Sequence, residues 1–174
     1  MRSASGKEAV LSCDASAPRG APARLAAAFL LSLSCATAQG APSTFGPVIG
    51  SAILCRSHLD NAYFYDYLST AFGPSYKHEG GAYWFKADGN LWGTPVTDIM
   101  VSDDSSDIVF VGAVTDSAPE DLDKAIRAVM GVRHDPAAGL GAGVRQSRPG
   151  SRIIHFKAKS KIYCAKYKPL PILR

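Results

Sequence analysis

From Val48 onward, apolar residues fall into short blocks whose spacing switches between continuous runs, a helical period and strict alternation. Val48–Cys55 (VIGSAILC) is a continuous apolar run of strand length and reads as the first strand. From residue 61 the period becomes helical. Phe64, Leu68, Ala71 and Phe72 recur on one face, Tyr63 and Tyr67 widen it, Asp60 or Asn61 stands at the cap, and Gly73-Pro74 is a stop. Ser75–Glu79 and Ala82–Ala87 (AYWFKA) are strand-like runs around Gly80-Gly81, a hairpin signal. Asp88-Gly89-Asn90 reads as a second turn and Leu91–Pro95 as an irregular loop. Val96–Ser102 alternates, and Asp107–Val114 (DIVFVGAV) is the most apolar strand; together they form a second hairpin.

The strongest helix signal follows. Ser117 and Glu120 have capping-box spacing, Pro119 lies in the first turn, Leu122, Ala125, Ile126, Val129 and Met130 make the apolar stripe, and Gly131 ends it. Residues 133–151 show no period and read as a long loop. Arg152–Tyr167 reads as a long strand or a bent strand pair, and Pro169 and Pro171 end regular structure. The order β-α-β-β-β-β-α-β, joined mainly by hairpins, predicts an α+β fold: an antiparallel sheet of about five strands with two helices packed on one face. The helix ending in Phe72-Gly73-Pro74, followed by strands bearing Tyr83-Trp84, resembles a unit of the β-lactamase-inhibitor-like folds over about 45 residues, an analogy of fold that carries no function.

Composition changes this picture little: 174 residues, 47% hydrophobic and 20% charged, describe one globular domain. The N-terminus changes it more. Arg19 and Arg24 flank a short apolar core, Leu25–Leu33, and Ala36-Thr37-Ala38 supplies small residues, so residues 1–38 read as a secretory leader cleaved after Ala38. Residues 39–47 then form an exposed lead-in, 48–168 the single domain and 169–174 a tail. No apolar run reaches the roughly 18 residues that span a bilayer, so no transmembrane segment is expected in the mature chain. Cleavage removes Cys13 and Cys35 and leaves Cys55 and Cys164, which in an oxidising compartment are expected to pair. That bond would close a loop of about 110 residues.

Charge is segregated. Residues 39–132 carry five Lys/Arg against twelve Asp/Glu, whereas residues 133–174 carry ten Lys/Arg against Asp135 alone. Lys157, Lys159 and Lys161 sit two apart, so on one strand they would share a face with His155 and Tyr163, and Phe156, Ala158, Ile162 and Cys164 would take the other. Such a stripe suits an acidic protein or an anionic envelope polymer; export and the lack of interleaved aromatics argue against nucleic acid. Tyr63, Tyr65 and Tyr67 cannot all face one core, and Trp92 lies in a Gly/Pro-rich stretch, so Tyr65 and Trp92 are the aromatic contact candidates.

Catalytic and metal motifs do not emerge. His58, His78, His134 and His155 lack chelating spacing, and a zinc site would need His58, His78 and Asp60 to converge in space. There is no nucleophile elbow, and Cys55, which could pair with His58 as nucleophile and base, is expected in the disulfide. Asp103, Asp104 and Asp107 lack the calcium-loop pattern. Gly139–Gly143 lacks the dinucleotide-loop spacing. No cofactor is expected. The chain therefore reads as a small exported bacterial envelope protein, periplasmic or secreted, that acts by binding as an inhibitor or interaction module. Lys157, Lys159, Lys161, Tyr163, Trp92 and Tyr65 would form its contact surface. The alternative is a secreted hydrolase or metal-dependent enzyme whose site assembles only in three dimensions.

Overall fold

The computed structural model describes residues 40–141 and 143–168; the expected leader at 1–38 and the tail at 169–174 lie outside the described residues. The fold is α+β, with one antiparallel sheet and three helices. The sheet has eight strands rather than about five. They are β1 (Lys77–His78), β2 (Ala82–Leu91), β3 (Thr94–Ser102), β4 (Ile108–Thr115), β5 (His134–Pro136), β6 (Arg145–Ser147), β7 (Arg152–Phe156) and β8 (Lys159–Tyr167), in the order β1-β2-β3-β4-β8-β7-β6-β5. Two four-stranded meanders, β1–β4 and β5–β8, thus meet edge to edge along a β4–β8 seam.

The extra strands have local causes. The stretch expected to be a loop contributes β5 and β6, three residues each, too short to show a period. The 152–167 segment is a tight hairpin that turns at Lys157-Ala158, with Lys157 at φ 56°. β2 runs through Asp88-Gly89-Asn90, where a register shift between Lys86 and Gly89 replaces the expected turn. The chain reverses instead at Trp92-Gly93, both at positive φ as a two-residue hairpin with type I′ geometry requires.

The expected first strand is helical. A π-helical turn (Gly46–Gly50) leads into α1 (Ser51–Ile53). Phe45, Ile49, Ala52 and Ile53 lie three and four apart and are all buried, so the run satisfies a helical stripe as well as a strand, and a short apolar run cannot reveal which. Phe45, expected in an exposed lead-in, is part of the core. α2 (Asn61–Phe72) matches its expected bounds: Asp60 Oδ1 accepts from the Tyr63 N–H at 3.0 Å, and Gly73 ends the helix. α3 (Pro119–Met130) ends at left-handed Gly131 as expected, but its cap is Ala118 and the capping box does not form. Ser117 instead contacts the Thr115 hydroxyl at 3.3 Å.

Register decides what each sheet face carries. One row crosses five strands as Phe85, Ile99, Ala113, Ile162 and Ile153, all essentially inaccessible. These residues share one buried cluster with Ile49 and Ile53, with Phe64 and Leu68 of α2, and with Leu122 and Ile126 of α3. Cys164 belongs to the same cluster and is bonded to Cys55, 109 positions earlier in the chain, with Cα atoms 5.2 Å apart. The disulfide thereby fastens the end of α1 to the seam strand β8.

Opening this cross-link removes a constraint on the unfolded chain, so reduction, or Cys55→Ser with Cys164→Ser, is expected to cost up to about 4–5 kcal/mol. Urea unfolding of oxidised and reduced protein measures this. Equal midpoints would show that the bond adds nothing.

Candidate functional site

Residues on the opposite face of the sheet follow the same register. One row reads Trp84, Met100, Gly112, Tyr163 and Arg152; the next reads Lys86, Asp98, Val114, Lys161 and Ile154. Trp84, Met100, Lys86, Asp98, Val114 and Lys161 of these rows, with the β1 arm and the β7–β8 hairpin tip, line a basin of about 570 Å³. Trp84, Met100, Phe110, Val114 and Phe156 supply its apolar lining, and Lys77, Lys86, Lys157, Lys159 and Lys161 supply positive charge. Gly112 keeps the floor closed. A Cβ there would stand 2.6 Å from Met100 Cε and 2.8 Å from the Ile162 carbonyl oxygen and from Tyr163 Cβ.

The five lysines are not equivalent. Lys86 donates to Asp98 at 2.6 Å and lies 4.6 Å above the Tyr76 ring. Asp98 also accepts from the Tyr76 hydroxyl at 2.8 Å and from Thr97 at 2.7 Å. Burial pushes the Asp98 carboxyl up, but its bonds from Lys86, Thr97 and Tyr76 outweigh that and hold it below the ordinary carboxylate value. Lys159 pairs with Asp116 at 2.8 Å, and Lys77 pairs with Glu79. Lys161 lies 4.4 Å from the Phe156 ring centroid and 5.2 Å from that of Trp84, and Lys157 lies 5.4 Å from that of Phe156. Among the described residues no carboxylate lies within ion-pair distance of Lys157 or Lys161. The Trp84 indole donates to the Glu79 carbonyl oxygen at 3.2 Å, which fixes the ring that Lys77 and Lys161 both approach.

The structure gathers the three expected lysines but not as a single-strand stripe. The turn at Lys157-Ala158 puts Lys157 at the hairpin tip, and Phe156, Lys159 and Lys161 share the basin face because Phe156 pairs with Lys159. Phe156 therefore stands beside the lysines instead of opposite them, and His155 falls on the other face. Tyr163 is half-buried next to Gly112 on the basin face. Tyr65 lies elsewhere, half-buried, its ring edge-on to Tyr83 at 4.7 Å and to Phe85 at 5.6 Å. Trp92 packs on Gly50. The exposed member of the tyrosine trio is Tyr63, at 51%. Trp84, Phe110, Phe156, Lys86 and Asp98 were not singled out from sequence. The alternation of Trp84 and Lys86 against Phe85 and Ala87 was the available signal.

Two other constellations carry titratable groups. His78 Nε2 meets Asp103 Oδ2 at 2.6 Å and stacks on Tyr83 at 4.3 Å. Hydrogen bonds from Ser105, and then from His78, lower the Asp103 pKa to about 2. Asp103 also lines a cleft of about 350 Å³ with Tyr65 and Tyr83. The second constellation is buried. The His134 backbone N–H donates to Asp123 Oδ1 at 2.7 Å, and its Nδ1 meets the same oxygen at 3.3 Å. Its Nε2 lies 2.8 Å from Ser151 Oγ, which lies 2.7 Å from Ser147 Oγ. An ionised Asp123 makes Nδ1–H the donor, leaving Nε2 to accept from Ser151. This is the Asp-His-Ser order of a nucleophilic relay, yet Ser151 is 0% exposed and out of reach of a substrate. Among the described residues no three His, Cys, Asp or Glu side chains converge as a metal site. A larger cleft of about 650 Å³ beside α2 is lined by Tyr63, Tyr67, Thr44 and Thr70, but Asp66 is its one charged group, so it offers little to orient a ligand.

Two expectations follow. Gly112→Ala should destabilise by about 1–3 kcal/mol through overpacking against the Ile162 backbone, read as a lowered urea midpoint. Desolvation lowers the His134 pKa against the opposing pull of Asp123, with Arg145 adding to the lowering and Asp135 opposing it. A buried neutral histidine binds its proton more tightly when unfolded. Its contribution is therefore full above about pH 6.5 and is lost as pH falls below that value toward the folded pKa. The urea midpoint should drop between pH 7 and pH 5, and His134→Gln should flatten that drop; an unchanged slope would exclude His134 as its source. No family model, curated protein or solved structure matches this chain.

Proposed function

We propose that this protein is a small exported binding module of a bacterial envelope, periplasmic or secreted after loss of residues 1–38. Its helices cover one sheet face, and the basin on the other receives an acidic protein or an anionic envelope polymer. The observation that carries the reading is Lys161, an ammonium placed over Trp84 and Phe156 without a carboxylate partner among the described residues. A cation so placed lacks a neutralising charge and sits where water is partly excluded, so an incoming anion gains more there than at a solvated surface lysine. The Cys55–Cys164 disulfide is compatible with location outside the cytoplasm. No described helix is long and apolar enough to cross a membrane. Of the expected contact residues, Lys157, Lys159 and Lys161 line the basin, Tyr163 lies on the same sheet face opposite Gly112, and Tyr65 and Trp92 would act outside it.

A hydrolase is the second reading, favoured by the Asp123–His134–Ser151 alignment and opposed by the burial of Ser151. Turnover of an activated ester that disappears in Ser151→Ala would favour it over binding.

Retention on immobilised poly-L-glutamate tests the main reading. The protein should bind at low ionic strength and elute as salt rises. Lys161→Gln combined with Lys157→Asn, the latter chosen because Asn tolerates the turn's positive φ, should abolish retention while the urea midpoint stays the same. Undiminished retention of that folded double variant would overturn the basin as the contact surface.

A further inference from the structure

We propose that the basin is a receptor for a peptide segment of an acidic protein, one that seats an aromatic side chain on the Trp84–Met100–Phe110 floor against Phe156 and places flanking carboxylates at Lys161 and Lys157. This rests on the binding reading above and narrows its partner from any polyanion to a segment that carries acid and aromatic groups side by side.

The reason lies in how the cations are held. Lys86, Lys159 and Lys77 are already matched by Asp98, Asp116 and Glu79. The two left for a ligand stand over rings: Lys161 between Phe156 and Trp84, Lys157 beside Phe156. A carboxylate that reaches Lys161 must therefore bring its own body onto an apolar surface, and a chain bearing only charge would leave that surface wet. The floor is ready for such contact. Gly112 allows Met100 and Tyr163 to close over it, and the Trp84 ring is held by its bond to the Glu79 carbonyl oxygen. An aromatic and aliphatic floor of Trp84, Met100 and Phe110 surrounded by charged side chains is the kind of surface on which single aromatic anchors dominate protein association. The volume of about 570 Å³ suits one or two side chains rather than a whole domain face.

The test uses three fluorescein-labelled pentapeptides of equal length against the oxidised protein, read by anisotropy: Asp-Glu-Phe-Glu-Asp, Asp-Glu-Ala-Glu-Asp and Asn-Gln-Phe-Gln-Asn. The first should bind at least about tenfold more tightly than either of the others. Phe156→Ser, at a half-exposed position clear of the core, and Lys161→Gln should each weaken the first peptide at least about tenfold. Phe156→Ser should leave the alanine peptide unchanged. Equal affinity for the phenylalanine and alanine peptides, with both lost in Lys161→Gln, would overturn the aromatic anchor and leave a charge-only partner. Binding of neither acidic peptide nor poly-L-glutamate would overturn both readings.

Discussion

The β4–β8 pairing is the contact on which the rest of the molecule depends. Thr115 opposite Ser160 and Ile108 opposite Tyr167 set the register of the whole seam. From that register, side-chain alternation fixes everything else. Val111 and Ala113 meet Cys164 and Ile162 on the buried side, which puts a cysteine where Cys55 at the end of α1 can reach it. Val114 meets Lys161 on the other side, which carries an ammonium across β4 and β3 to Trp84 on β2. A slip of one residue would exchange the two faces of β8, burying lysines and exposing Ile162 and Cys164. The disulfide reinforces the alignment by holding β8 against the helical segment.

Much of the fold was legible because its signals were local. Asp60, the Phe64/Leu68 spacing and Gly73 define α2 without tertiary help, as do the Leu122/Ile126 stripe and Gly131 for α3. Gly80-Gly81 marks the first hairpin. The errors arose where local preference was weak or was overruled. Phe45 to Ile53 fits two periods, and burial against the sheet favours the helical one. Asp88-Gly89-Asn90 has turn chemistry, but β3 continues to pair across it, so the strand absorbs the irregularity as a register shift. Lys157-Ala158 lacks the Gly or Asn that would announce a hairpin, yet Lys157 adopts the positive φ the turn requires.

The site was half legible for the same reason. The lysine spacing showed that cations cluster, and alternation within Ala82–Ala87 separates Trp84 and Lys86 from Phe85 and Ala87. Neither pattern shows that the two segments are neighbours. That follows only from strand order, because β8 leaves sequence order to lie beside β4 instead of continuing an outer edge. The buried Asp123–His134–Ser151 array was invisible for a similar reason: its members lie on α3, on a three-residue strand and in the turn before β7, and none carries a spacing signal.

The strand order has a temporal side as well. The seam joins the fourth strand to the eighth, and the cross-link joins cysteines 109 positions apart. The first meander can assemble from neighbouring segments, but its β4 edge stays open until the C-terminal strand arrives to cover it. Closure over such sequence distances is slow compared with hairpin formation. The polypeptide therefore spends the interval before completion with an apolar strand unpaired, the form most exposed to misassociation.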